Sequence, residues 1–317
     1  MSSTPLLAKL IWRQNWIPLR LKKTAYKTLS KSGQAPSAPF ESDFYGLRYR
    51  GNLNNGIEFA LFYYGAFEKP LLYFLRDCLL GLGQSAEEKL VFCDVGANIG
   101  QHSLFMSRFA QQVHAFEPFS EVSARLDAHI KLNKIDNIRL HPLGLSDENG
   151  SLPFFAPAGS NRGVGSFVSD SIQRGNQAIG ELRIARADDY FREQEITRVD
   201  LIKIDVEGFE ARALAGMREI LRQQRPVVVC EVSYGEELSF GSREAFLASL
   251  PDNYCLYCFD TRKPDGSTAR RRGARAKRSG RYALIPLTHW RDRDQDDLVA
   301  IPKEKLARVP LRGPLRK

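Results

Sequence analysis

Short apolar runs, each closed by an acid, a glycine or a proline, alternate along this chain with stretches of helical periodicity. Leu90, Val91, Phe92 and Cys93 form one such run, and Asp94 ends it. Unbroken apolarity of this kind marks a strand covered on both faces. Gly96, Ala97, Asn98 and Gly100 then turn the chain. From Gln101 on, Leu104, Phe105, Arg108 and Phe109 fall on one helical stripe. Gln112–Phe116 (QVHAF) is the next strand; Glu117-Pro118 closes it, and a helix runs from about Ser120 to Leu132. A third strand spans Ile138 to Leu145. Val199–Asp205 and Val227–Val232 supply two more, with a helix from about Glu210 to Arg222 between them. Regular alternation of strand and helix predicts an α/β fold built on a doubly wound, mostly parallel, Rossmann-like sheet.

The flanks follow other rules. A strand near Leu47–Arg50 and a helix from about Phe67 to Leu80 precede the first apolar run, with Tyr64, Phe67 and Glu68 placed to close a pocket beside it. Between Ser151 and Asp189, the segments SLPFF, GSNRGVGS, FVSDSI and LRIARADDYF break the alternation and predict a hairpin-rich insertion (151–190) beside the strand ends. Asn161, Arg162 and Ser166 in it are candidate contacts to a substrate. The C-terminal part predicts a helix near Arg243–Leu250 and strands YCLYCF, RYALIPL and DDLVAI. A basic loop (261–281) holding Arg262, Lys263, Arg270, Arg271, Arg272, Arg275, Lys277, Arg278 and Arg281 reads as a mobile hairpin tip.

Composition narrows the picture. The 317 residues are 43% hydrophobic, enough for a sizeable core, and carry a formal net charge of +9. No apolar run reaches the roughly 20 residues that cross a bilayer. Residues 1–40 form a basic leader with no acid, in which Lys9, Arg13, Arg20, Lys22, Lys23, Lys27 and Lys31 interleave with Leu, Ile and Trp. Charges interrupt its apolar part, unlike a secretory signal, so a cytoplasmic location is expected. Such a leader suits peripheral contact with an anionic membrane; a loosely ordered arm or a helix packed on its own domain has the same composition. Residues 41–310 then form one domain with its core at 88–255. Cys93, Cys230, Cys255 and Cys258 sit in apolar runs as reduced thiols, and Cys255-x-x-Cys258 lacks the second pair that zinc requires. The basic loop lacks interleaved aromatics, which argues against sequence-specific nucleic-acid binding and leaves an acidic glycolipid or phosphorylated carrier as a suitable partner.

A strand, a glycine turn and a helix together make a small-ligand pocket, because glycines admit the ligand to the backbone and the helix start offers free N–H groups. Dinucleotides and S-adenosylmethionine both fit such a turn. The spacing here is Gly96-x-x-x-Gly100, without the middle glycine that makes room for a pyrophosphate, and Asp94 would repel one. Asp94 can instead pair with the amino group of an amino-acid moiety. Glu117, 21 positions after Gly96, stands where an acid accepts from ribose hydroxyls. Ser146 and Asp147 close the third strand on the same side and are candidates for the adenine edge. Asp205, Glu207 and Glu231 gather at later strand ends, where an acid can take a proton from a hydroxyl nucleophile. Lys203 shares a face with Asp205 and could pair with it instead. The histidines are dispersed, so no metal is expected, although those three acids together could hold a divalent ion.

The motifs DVGANIG, HAFEP, LGLSD and LIKIDVEGFE, together with YYGAFEKPLLYFL ahead of them, resemble the FkbM family of S-adenosylmethionine-dependent methyltransferases over roughly Tyr45 to Val232. The resemblance implies a class I methyltransferase fold, S-adenosylmethionine as cofactor and O-methylation of a saccharide, glycolipid or related polyol. Asp94, Gly96, Asn98 and Gly100 would hold its methionine end and Glu117 its ribose. An NAD(P)-binding oxidoreductase and a non-catalytic scaffold are the other classes open to the same residues.

Overall fold

A computed structural model describes residues 10–11, 14, 16–31, 37–83, 88, 90–157, 165–167, 176–235, 239–263, 267 and 269–315. Helix α1 (Leu19–Lys31) lies in the basic leader, and its Tyr26 is buried with its ring stacked 4.7 Å from Phe59. An antiparallel hairpin follows, β1 (Pro39–Phe44) with β2 (Leu47–Asn52), then helices α2 (Gly56–Tyr64) and α3 (Lys69–Leu82). Helix α2 was not expected. Its start is set by Asn55, whose Oδ1 accepts from Ile57 N and Glu58 N, and Gly65 ends it in the left-handed region. Glu68 then takes φ 46°, so α3 begins at Lys69 rather than Phe67.

The α/β core runs through β3 (Val91–Val95), α4 (Gln101–Met106), β4 (Gln112–Phe116), α5 (Ser120–Asn133) and β5 (Ile138–His141). The expected third strand stops at His141, because Pro142 has no N–H to continue the ladder. The chain resumes as β6 (Gly144–Ser146) in a separate three-stranded sheet with β7 (Gly150–Pro157) and β8 (Asn176–Arg186), the last two overlapping the stretch expected as an insertion. Within LRIARADDYF, β8 ends at Arg186 and α6 (Ala187–Glu193) begins. Asp188 accepts from Glu219 N and Ile220 N, capping a later helix. Next come β9 (Leu201–Ile204), α7 (Glu210–Gly216), α8 (Arg218–Gln224) and β10 (Val227–Ser233). The single helix expected from Glu210 breaks at Met217. There Gly216 presses on β6, so that a Cβ would lie 1.7 Å from Ser146 O.

The C-terminal elements are α9 (Arg243–Ala248), β11 (Tyr254–Phe259), α10 (Arg270–Ser279), β12 (Tyr282–Pro286), β13 (Gln295–Pro302), a 3-10 turn (Lys303–Arg308) and β14 (Arg312–Gly313). The basic stretch is therefore not a hairpin tip. It folds into α10, and a Cβ on Gly280 would lie 2.3 Å from the Tyr73 ring of α3. Cys255 and Cys258 occupy opposite faces of β11, since an odd separation reverses the side chain.

Nine strands make the main sheet, in the order β14-β12-β11-β13-β10-β9-β3-β4-β5. It is parallel from β10 to β5 and antiparallel beyond, where β13 inserts between β10 and β11. Alternate strand residues feed two cores: Phe92, Val113, Leu201 and Val229 on one face, Cys93, Phe116, Ile202 and Cys230 on the other. Both faces are covered, as a doubly wound sheet requires. No helix among the described residues is long and apolar enough to cross a membrane.

Candidate active site

Gly96 ends β3 with φ 79°, and a Cβ there would lie 1.9 Å from the backbone oxygen of Asp205. Only glycine lets the turns after β3 and β9 pass so closely. Asn98 continues the turn with φ 52°. The turn is anchored to β4: Phe116 O accepts from Gly96 N at 3.0 Å and Ala97 N at 2.9 Å, and Glu117 Oε2 accepts from Asn98 N at 2.9 Å. Glu117 Oε1 accepts from Phe119 N at 3.0 Å. Burial pushes the Glu117 carboxyl up to about 7, against these two backbone donors.

A cavity of about 300 Å³ opens beside this turn. Gly96, Asn98, Glu117, Phe119, Gly144, Leu145 and Phe167 line it together with Glu68, Asp205, Glu207 and Glu231. A second cavity of about 580 Å³ shares Phe67, Glu68, Glu231 and Gln295 with it and extends to Phe59, Tyr64, Phe259, Asp297 and Lys277.

The wall common to both is acidic, and the sheet pleat explains why. Asp94, Lys203, Glu231 and Asp297 share a face with Phe92, Leu201, Val229 and Val299. Register sets Asp94 opposite Lys203, and Glu231 opposite Asp297. Because β13 is antiparallel to β10, its first residues arrive at the rim where the parallel strands end. Lys203 Nζ lies 3.0 Å from Asp205 Oδ2 and 3.9 Å from Asp94 Oδ1. Burial would lower the Lys203 pKa, but Asp205, Asp94 and Glu68 outweigh it and hold the ammonium charged. Desolvation raises Asp297 to about 7, helped by Asp205. It raises Glu231 and Glu68 well above the usual carboxylate range, with Asp205 and Asp297 adding repulsion. Three carboxyls of the rim are thus pushed upward by burial and by one another's charge.

Of the expected site residues, Gly96, Asn98, Glu117, Asp205, Glu207 and Glu231 line the first cavity. The other four stand back from it. Asp94 is fully buried and accepts from Ser103 Oγ at 2.6 Å, so it braces Lys203 rather than facing the cavity. Gly100 backs onto Leu126. Ser146 is buried behind the wall, and Asp147 pairs with Arg212 at 2.7 Å, so the strand reaches the cavity through Gly144 and Leu145 instead. Lys203 does pair with Asp205, the alternative that the shared strand face allowed. Ser166 donates to Glu207 O at 2.7 Å, which supports the turn at Glu207, φ 52°. Asn161 and Arg162 lie outside the described residues. Phe67 and Glu68 reach both cavities, and Tyr64 the second. Asp297 was missed, since an acid opening a C-terminal strand gives no local sign that its strand returns to the sheet centre. Asp205, Glu207 and Glu231 can each offer an oxygen within 4.8 Å of the others, a spacing that suits a divalent cation.

Residues 94–255 match the family described as the Methyltransferase FkbM domain. Among curated relatives, the chain is 28% identical over 151 residues to the 2-O-methyltransferase NoeI of Sinorhizobium fredii, covering 43% of this chain and 60% of that protein. It is 30% identical over 154 residues to the hexuronic acid methyltransferase AglP of Haloferax volcanii, covering 49% and 61%. To the 31-O-demethyl-FK506 methyltransferase FkbM of Streptomyces tacrolimicus it is 30% identical over 210 residues, covering 57% and 80%. The matches to NoeI and AglP span about three fifths of those proteins. The oxidoreductase alternative gives way to these matches: the chain belongs to the FkbM methyltransferase family.

Proposed function

We propose that this chain transfers a methyl group from S-adenosylmethionine, the cofactor of its family, to a hydroxyl of a saccharide or related polyol. The observation that carries the reading is the pair of adjoining cavities divided by an acidic wall. The first fits the cofactor. It joins the Gly96 turn, with its close backbone, to a buried carboxylate, Glu117, that keeps lone pairs free after accepting two N–H bonds. Glu117 would accept from the ribose hydroxyls, Gly96 and Asn98 would face the methionine end, and Phe119, Gly144 and Leu145 would border the adenine. S-adenosylmethionine supplies, when bound, a methyl group on a sulfonium.

The second cavity suits a polyol. Carboxylates accept from its hydroxyls, and the faces of Phe59, Tyr64, Phe67 and Phe259 cover its C–H surface. Glu231 borders both cavities and is the candidate proton acceptor. Its raised pKa suits it to take the hydroxyl proton while the O–C bond forms. Asp205, held by Lys203, would orient the nucleophile. Names of relatives support the class of acceptor, since NoeI is a 2-O-methyltransferase and AglP acts on a hexuronic acid. A cell extract incubated with methyl-labelled S-adenosylmethionine, followed by mass spectrometry of glycans and lipids, tests the reading. Label on saccharide hydroxyls supports it, and cofactor binding with no label transferred to any acceptor would favour a non-catalytic scaffold.

A further inference from the structure

Large apolar side chains left exposed gather in the leader. Among the described residues, Leu10, Ile11, Trp16 and Leu21 are 57%, 39%, 79% and 60% exposed, while Leu80, Ile179, Ile285 and Leu315 are spread over the rest of the chain. Single exposed apolar residues are ordinary on a protein surface, but four within one short segment call for a partner. Helix α1 shows how the segment is mounted. Lys22 and Tyr26, four positions apart, are buried; the Tyr26 ring stacks on Phe59, and Lys23 Nζ sits 3.9 Å from the centre of the Tyr64 ring and bonds its hydroxyl. Leu21, Thr24, Ala25 and Thr28 recur at spacings of three and four on the other side, and all are exposed. Thr24 Oγ1 donates to Arg20 O at 3.0 Å and Thr28 Oγ1 to Thr24 O at 3.1 Å, which spends both hydroxyls on the helix. Trp16 Nε1 donates to Gln14 Oε1 at 3.3 Å, so the indole N–H is satisfied while its ring stays bare. Arg20 is exposed as well, and residues 1–40 hold Lys and Arg but no Asp or Glu.

We propose that this segment docks on an anionic lipid bilayer, with Leu10, Ile11, Trp16 and Leu21 entering the acyl boundary and the leader's cations meeting the headgroups. A leader without acids makes a positive field that such a surface complements. Nucleic acid offers the same charge but no apolar depth for Leu10, Ile11 and Leu21, whose removal from water is what a bilayer interface adds. Tryptophan suits that boundary, its ring being apolar and its N–H polar. Phe59 and Tyr64, on which α1 rests, also line the second cavity, so the docking segment adjoins the cavity assigned above to the acceptor. The docking itself does not depend on the methyl-transfer reading.

Sedimentation of the full chain with vesicles of phosphatidylcholine and phosphatidylglycerol in equal parts tests this, against vesicles of phosphatidylcholine alone and against the variant L10S/I11S/W16S/L21S. The native chain is expected to bind the mixed vesicles at least tenfold more tightly than the variant does, and at least tenfold more tightly than it binds phosphatidylcholine, with affinity falling as salt rises. Absence of native binding, equal binding by the variant, or indifference to the anionic lipid overturns the proposal. W16S alone, which changes only the most exposed of the four side chains, is expected to lose several-fold, and native affinity in it would also count against insertion. Binding of S-adenosylhomocysteine, measured first, is expected to be equal in all three proteins and shows that the variants are folded. Its absence from the native chain would sink the methyl-transfer reading and leave the vesicle result standing.

Discussion

Lys203 of β9 holds Asp205, its Nζ 3.0 Å from Oδ2, while Asp94 of β3 braces the same ammonium from 3.9 Å. This buried cation stands against a rim that also carries Glu68, Glu231 and Asp297. The imbalance keeps Asp205 engaged, while burial and the neighbouring acids push Glu231 and Asp297 above the usual carboxylate range.

Lys203→Met should uncover that role. Removing the ammonium leaves Asp94 buried beside an unpaired Asp205, and breaking such a pair costs about 3–5 kcal/mol. Urea unfolding would show the loss. A variant as stable as the native chain would mean that the acids do not need their cation.

Gly96→Ala should weaken cofactor binding and also lower stability, because the two turns must move apart. The added Cβ would lie 1.9 Å from Asp205 O, at a φ of 79° that alanine resists. Calorimetry with S-adenosylhomocysteine should show at least a tenfold loss. Native affinity would place the nucleoside away from this turn.

Asp297→Asn should change how stability depends on pH. The folded carboxyl is raised to about 7, above an unfolded value of about 3.9. Between these limits the folded state binds more protons than the unfolded state, so the native Asp297 costs stability increasingly as pH rises. The variant should therefore gain on the native chain from pH 4 to 7 and keep a constant advantage above. A difference that is flat with pH would show that Asp297 is not desolvated. Comparing the two proteins cancels the opposing effect of His114 and His141, which burial depresses to about 4 and about 3.

Much of this was legible because local pattern and tertiary role agree. The apolar runs around Phe92, Val113, Ile202 and Val229 are strands for the same reason that they are core, and the Gly96 turn declares itself by its neighbours. What the chain hid depends on long-range pairing. Asp94, next to the glycine turn, reads as a ligand contact until Lys203 and Ser103 are seen to claim it. Asp147 reads likewise until Arg212 takes it. Asp297 joins Glu231 only because β13 folds back antiparallel into the middle of the sheet. The basic stretch looked featureless because the partner that orders it, Tyr73 on α3, is far away in sequence.

Glu231→Gln should separate binding from chemistry. The amide keeps the size of the side chain but cannot take a proton. S-adenosylhomocysteine affinity should stay within a few-fold, while labelled transfer falls by about 10²–10⁴-fold. Undiminished transfer would assign the proton to another acid of the rim.

The central claim is that the nucleoside lies between the Gly96 turn and Glu117, with its reacting end toward the acidic wall. A crystal structure of the chain with S-adenosylhomocysteine measures this directly. The account predicts ribose hydroxyls within hydrogen-bond distance of the Glu117 carboxylate and the sulfur directed toward Asp205 and Glu231. A ribose bound away from Glu117, or a sulfur turned from those two acids, would contradict it.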